Sequence, residues 1–130
     1  MGNYIELEYL EVYKLARKLS SIAWLIYDQL NWQDKKIIGD QFITSADSIG
    51  ANIAEAYGRF HYLDRIKFCY YSRGSYIECT SHWLSLLSER KKIQQEQSNE
   101  FLSIGRAFFL KLNNYINSLY NSRESKESKS

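Results

Sequence analysis

Proline is absent from the 130-residue chain, and glycine (six), cysteine (two), histidine (two) and methionine (one) are scarce. With no proline to interrupt them, long helices are favoured. No stretch approaches the roughly 18 uninterrupted apolar residues of a membrane span, and the N-terminus "MGNYIELEYLEVY" is acidic where a secretory signal is basic and then apolar. A cytoplasmic protein is therefore expected. Cys69 and Cys79 fall ten residues apart on one expected helix, about 15 Å at the helical rise and too far to bridge. They are expected as free, partly buried thiols. With His61 and His82 they form no CxxC or HxxxH pattern, so neither metal nor cofactor is expected.

Catalytic signatures are missing too: there is no Gly-rich phosphate loop, GxSxG elbow, HExxH or Walker pattern. Glu78 precedes His82 by four residues, but no second copy exists to complete a metal-binding bundle motif. The expectation is a non-enzyme. What the chain does contain is 45% hydrophobic residues, twenty aromatics and a net charge of +2 with a pI near 8.5. That balance permits nucleic-acid binding without arguing for it.

Four amphipathic segments emerge from alternating steps of three and four. The first carries Val12, Ala16, Leu19, Ala23, Ile26 and Leu30. Asn31 resembles the cap of a second, with an inward row of Ile38, Phe42, Ser45, Ile49, Asn52 and Ala56, and Gly58 fits a left-handed stop. Ile66, Tyr70, Arg73, Ile77, Thr80, Leu84 and Leu87 form the third row. Ser98 caps a fourth helix with Phe101, Gly105, Phe108, Leu112, Tyr115 and Leu119. Short loops force these helices up, down, up and down. The expected fold is all-α, an antiparallel four-helix bundle over residues 1–121, with a disordered charged tail at 122–130.

Inside the second helix, Ser45, Ser48, Asn52 and Glu55 form a polar ridge. Antiparallel pairing about a turn near residue 60 brings together residues whose numbers add to about 121, which sets Ser48 opposite Arg73, with Glu78 just over a turn away. A buried arginine demands a partner, and Glu55, Glu78, Asp47 and Ser48 are the candidates. The expected role is a structural polar network of Ser48, Asn52, Glu55, Arg73 and Glu78 that fixes helix register; a subunit interface or an acid and base pair are the alternatives. Gly50 and Gly74, inside helices, suggest close backbone approach.

The same stretch carries a resemblance. "SIGANIAEAYGR" (residues 48–59), followed by "RGSYIE" (Arg73 to Glu78), is similar to the small four-helix bundle proteins encoded in intervening sequences of bacterial 23S rRNA genes, whose pattern reads roughly SIxxNIAEGxxR and later ARGSxxE. The likeness covers about residues 10–120. Departures are Gly50 where proline is usual, Ala56 for glycine, Thr44 for arginine, Ser72 for alanine and Thr80 for glutamate. The resemblance implies a ring-shaped homopentamer with no established enzymatic activity and an association with RNA. A more distant likeness, to the accessory subunit of diversity-generating retroelements, implies a second role as an adaptor for a protein partner such as a reverse transcriptase complex.

Abundant aromatics off the inward rows, among them Tyr13, Trp24, Tyr27, Tyr71, Tyr76, Trp83 and Phe109, support self-association. Candidate nucleic-acid contacts are Lys14, Arg17 and Lys18 on one helix face, and Lys35, Lys36, Arg90, Lys91 and Lys92 where the first and third loops meet. A further cationic set, Arg59, Arg65 and Lys67, falls at the opposite end near the tail cations Arg123, Lys126 and Lys129. With no RNP-like aromatic motif, GXXG loop or zinc knuckle, base readout is not expected.

Overall fold

A computed structural model describes residues 5–128. After a short 3-10 turn at Leu7–Tyr9, helix α1 runs Glu11–Gln29 and buries every member of the expected row from Val12 to Ile26, with Leu30 completing it. The Asn31 side chain accepts from the Asp34 N–H at 2.8 Å and starts α2, residues 32–58. Helix α3 spans residues 62–89, and α4 runs Gln95–Ser128. Each helix packs on two others, α1 on α2 and α4, α3 on α2 and α4. That is the expected antiparallel bundle, and no strand occurs among the described residues.

The pairing of α2 and α3 follows the expected register. Ser72 Oγ donates to the Ile49 carbonyl at 2.7 Å and Cys79 Sγ lies 3.9 Å from the Phe42 carbonyl, both pairs numbered to add to 121. Around them Phe42, Ile49, Ile53, Phe101, Phe108 and Leu112 fill a dry core, with Phe42 and Phe101 rings 5.9 Å apart. Each such side chain removed from water contributes roughly 1.5–3 kcal/mol.

Helix α3 departs from the expected row. Its inward residues are Ile66, Cys69, Ser72, Tyr76 and Cys79, then Thr80, Leu84 and Leu87, while Tyr70 and Ile77 are exposed and Arg73 is half-buried. A π-turn at Glu78–Leu84 explains the shift. One extra residue in the turn moves the row by one position, so the expected row picks Ile77, Arg73 and Tyr70 in place of Tyr76, Ser72 and Cys69. A second π-turn, Lys35–Gly39, lies near the start of α2.

Other local expectations need correcting. Gly58 is not left-handed; Arg59, extended at φ −86° and ψ 145°, ends α2. The left-handed residue is Lys91, φ 55°, where the Lys92 N–H reaches the Leu87 carbonyl at 2.9 Å and the Lys91 N–H reaches Ser88 at 3.0 Å, the paired bonds of a Schellman stop. Ser98 is not a cap but lies buried inside α4, whose start is closed by Gln97 Oε1 accepting from the Gln94 N–H at 3.2 Å. A Cβ at Gly74 would meet nothing within 4 Å, and one at Gly50 would make ordinary contact with Ala16 at 3.5 Å. The tight approaches are at Gly39, against Leu30 at 2.9 Å, and at Gly105, against the Tyr76 hydroxyl at 2.5 Å.

The expected disordered tail is helical through Ser128, as the end of α4. Residues 1–4 of the bundle range and 129–130 of the tail, with Lys129, lie outside the described residues. Among those described, no helix is long and apolar enough to cross a membrane, and no cluster of three or more His, Cys, Asp or Glu could hold a metal. Cys69 and Cys79 are free and fully buried, and burial pushes both thiols up to about 12.

Candidate nucleic-acid interface

The anticipated polar network does not form. Ser48 Oγ donates to the Thr44 carbonyl at 2.8 Å, Asn52 Nδ2 to the Ser48 carbonyl at 3.0 Å, and Glu55 pairs with Arg59 at 3.1 Å, all one turn away on the same helix. Glu78 accepts from the Trp83 indole at 2.8 Å. Arg73 turns to α4, donating to Asn113 Oδ1 at 3.2 Å with its guanidinium over the Tyr70 ring at 4.8 Å. Being only half-buried, Arg73 needs no carboxylate: it keeps access to solvent, and a neutral amide accepts from it. The shortest side-chain bond between α3 and α2 is that of the Ser72 hydroxyl to the Ile49 carbonyl, with Cys79 Sγ on the Phe42 carbonyl beside it. Sequence reasoning passed over it because Ser72 fell outside the misplaced row.

The cationic candidates divide into two groups. Lys14, Arg17 and Lys18 sit on the first half of α1. There Lys14 lies 3.8 Å from Glu11, and Arg17 donates to the Tyr13 hydroxyl at 3.0 Å. That bond, more than the field of Asp47, raises the Arg17 pKa. Lys14 and Arg17 thus lie beside aromatic rings and an acid, while Lys18 is exposed.

The other group gathers where the first and third loops meet, as the topology requires. Lys92 Nζ binds Asp34 at 3.1 Å and Gln97 Nε2 donates to Gln29 at 2.8 Å, pinning the start of α4 and the third loop to the α1–α2 corner. A second acid, Asp40, accepts from the Tyr27 hydroxyl at 2.6 Å, and that bond raises the Tyr27 pKa by holding its proton. Lys35 lies 5.1 Å over the Tyr27 ring and Lys36 4.8 Å over Trp32, which is 73% exposed. No carboxylate among the described residues lies within ion-pair distance of Lys35, Lys36, Arg90 or Lys91; Asp34 is paired with Lys92, and the exposed Asp40 accepts from Tyr27. Asp28, Glu89 and Glu96 are exposed at the same end. The surface has cations with free donors on a firmly tied corner, suited to phosphate oxygens, and it assembles no nucleophile with a base and an oxyanion donor.

Of the off-row aromatics, Tyr76 is buried; Tyr13, Tyr27, Trp83 and Phe109 are half-buried; Trp24 and Tyr71 are exposed. Trp24 and Leu25, 54% and 61% exposed, flank a groove of about 680 Å³ floored by Gly50, Ala51 and Ala54 between α1 and α2.

A four-helix bundle with a cationic loop corner is the class this geometry defines. The family model described as 23S rRNA-intervening sequence protein matches residues 8–114, so the chain belongs to that family. Among solved structures it is similar to a protein of unknown function from the S23 ribosomal protein family of Bacteroides thetaiotaomicron. The two are 25% identical with a TM-score of 0.73, over 81% of this chain and 97% of that one. No curated protein matches it significantly.

Proposed function

We propose that the protein is a non-enzymatic, homo-oligomeric RNA-binding bundle of the cytoplasm, holding RNA by phosphate contacts at the corner of the first and third loops. The observation that carries this reading is the set Lys35, Lys36, Arg90 and Lys91, none within ion-pair distance of a carboxylate among the described residues, at a corner pinned by the Lys92–Asp34 pair. Membership of a family tied to 23S rRNA intervening sequences supports RNA over DNA. A homopentameric ring would repeat the corner five times around one axis, and phosphate contacts add in both affinity and salt sensitivity. The exposed Trp24 and Leu25 beside the small-residue groove supply apolar surface for such an assembly.

Filter binding to structured rRNA fragments and to duplex DNA at 50 and 200 mM salt, with the mass in solution measured alongside, tests the proposal. Saturable RNA binding that weakens steeply with salt, by an oligomer, supports it. An oligomer that binds no nucleic acid at either salt refutes it. A second reading, an adaptor docking a protein partner such as a reverse transcriptase complex, is favoured by the same Trp24 groove; substitutions there, not charge reversals, would then abolish partner binding.

A further inference from the structure

The turn between α2 and α3 presents Phe60 to solvent, 79% exposed and the most exposed large apolar side chain among the described residues. So exposed a ring adds almost nothing to the core, yet its surroundings are ordered. Arg65 Nε donates to the Arg59 carbonyl at 2.6 Å and fixes the turn, while His61 meets the Phe60 ring edge-on at 5.1 Å. From the last turns of α4, Lys126 Nζ reaches over two rings, 5.6 Å from Phe60 and 5.9 Å from Tyr62, and the Arg65 guanidinium lies 5.7 Å from the Tyr62 ring. Phe60, His61, Tyr62, Leu63, Arg123 and Lys126 line a surface recess of about 410 Å³. Asp64 is the acid on its rim, and Glu55 is already paired with Arg59.

A flat exposed ring with ammonium and guanidinium groups around it matches a specific chemistry. An unpaired nucleobase offers a π-face of similar size, and its phosphate offers the counter-charge. Bases in a duplex hide their faces, so only an unstacked base can enter. We propose that this recess is a stacking site for an unpaired nucleobase carrying a phosphate: the base lies on Phe60 in place of Lys126, and the displaced ammonium binds the phosphate. The ligand chemistry is shared by single-stranded RNA and a free nucleotide; the first source rests on the RNA reading above. Along α2 this site lies about 40 Å from the loop corner, at the helical rise over 27 residues.

The test is fluorescence anisotropy with a labelled single-stranded adenine RNA decamer, the matching RNA duplex, and AMP as competitor. It compares the unaltered protein with Phe60→Ala, Phe60→Trp and Lys126→Ala. Phe60 is too exposed for its loss to unfold the bundle, and a thermal melt of each variant checks this. The expected result is an affinity for the single strand lowered about ten-fold by Phe60→Ala, the loss of one stacking contact. Phe60→Trp should restore binding and duplex affinity should stay within about two-fold. Competition by AMP assigns the site to free nucleotides as well, and its absence confines the site to RNA strands. Equal single-strand affinity in Phe60→Ala and the unaltered protein overturns the stacking site. If salt-sensitive binding of structured RNA persists in that case, the phosphate corner stands alone. If AMP binds through Phe60 but no RNA does, the stacking site stands and the RNA reading falls.

Discussion

The two ends of the bundle are finished differently. At the loop corner, α2 starts on the Asn31 cap, α3 stops on paired Schellman bonds, Lys92 is latched to Asp34, and Gln97 bridges to Gln29. At the other end, α3 begins at His61 with no side-chain cap, and the turn leaves Phe60 in water. Helix ends leave orphan backbone groups that must be satisfied somehow. One end does so with side-chain caps and paired backbone bonds; the other leaves the first turn of α3 without a side-chain cap and the Phe60 ring uncovered. The tied corner suits a rigid, repeating backbone, and the open turn suits a single pliable base.

Both ends share a dry middle, and it supplies the largest expected effect. Burial raises Cys69 and Cys79 from the ordinary 9.0 to about 12, so the fold favours the protonated thiols. Their contribution to stability is fully present below pH 9 and is lost as pH climbs from 9 to 12. At pH 8 the native thiols should react with a disulfide reagent about 1000-fold more slowly than free cysteine, recovering the ordinary rate in urea. Fast reaction in the native state would mean that the middle opens.

Next comes the corner. Reversing Lys35, Lys36, Arg90 and Lys91 to glutamate should lower structured-RNA affinity about 100-fold at 50 mM salt and flatten the salt slope, as expected when several phosphate contacts are lost. The same reversal should leave single-strand binding at Phe60 nearly intact. Parallel losses at both sites would erase the distinction between the ends.

Smaller effects separate sites by packing. Gly105→Ala drives a methyl into the Tyr76 hydroxyl and should cost about 1–3 kcal/mol in urea unfolding. Gly74→Ala, with open space around it, should add up to about 1 kcal/mol. Smallest are the helix ends: Asn31→Ala should cost about 1 kcal/mol, His61→Ala almost nothing, and Lys91→Gly should add about 1 kcal/mol by relieving a left-handed backbone. Equal costs for Asn31→Ala and His61→Ala would show that the ends are tied alike.

The strict row of α1, the Asn31 cap and the pairing of α2 with α3 were legible because each rests on local spacing in regular helix. The row of α3 was not, since a π-turn gives no compositional signal and Thr80, Leu84 and Leu87 extrapolate smoothly to the wrong residues. Arg73 was placed inward for that reason, and with it the network. The recess at Phe60 was hidden by reading "NSRESKESKS" as disordered. Its signal lay in Arg123 and Lys126, which continue the steps of four and three from Leu119 in polar residues that a hydrophobic pattern does not count.

The π-turn in α3 also acts as a phase adjuster in a screw. One residue in regular helix turns the chain by about 100° and advances it by about 1.5 Å. Deleting a single residue such as Ser81, which is exposed within that turn, would let α3 close into continuous α-helix. The stretch carrying Arg90, Lys91 and Lys92 would then have to rotate by roughly a quarter turn against Ile66 to Tyr76, or be pulled from its latch on Asp34. The heading of the basic corner is thus set within α3, about two turns upstream, by one supernumerary residue.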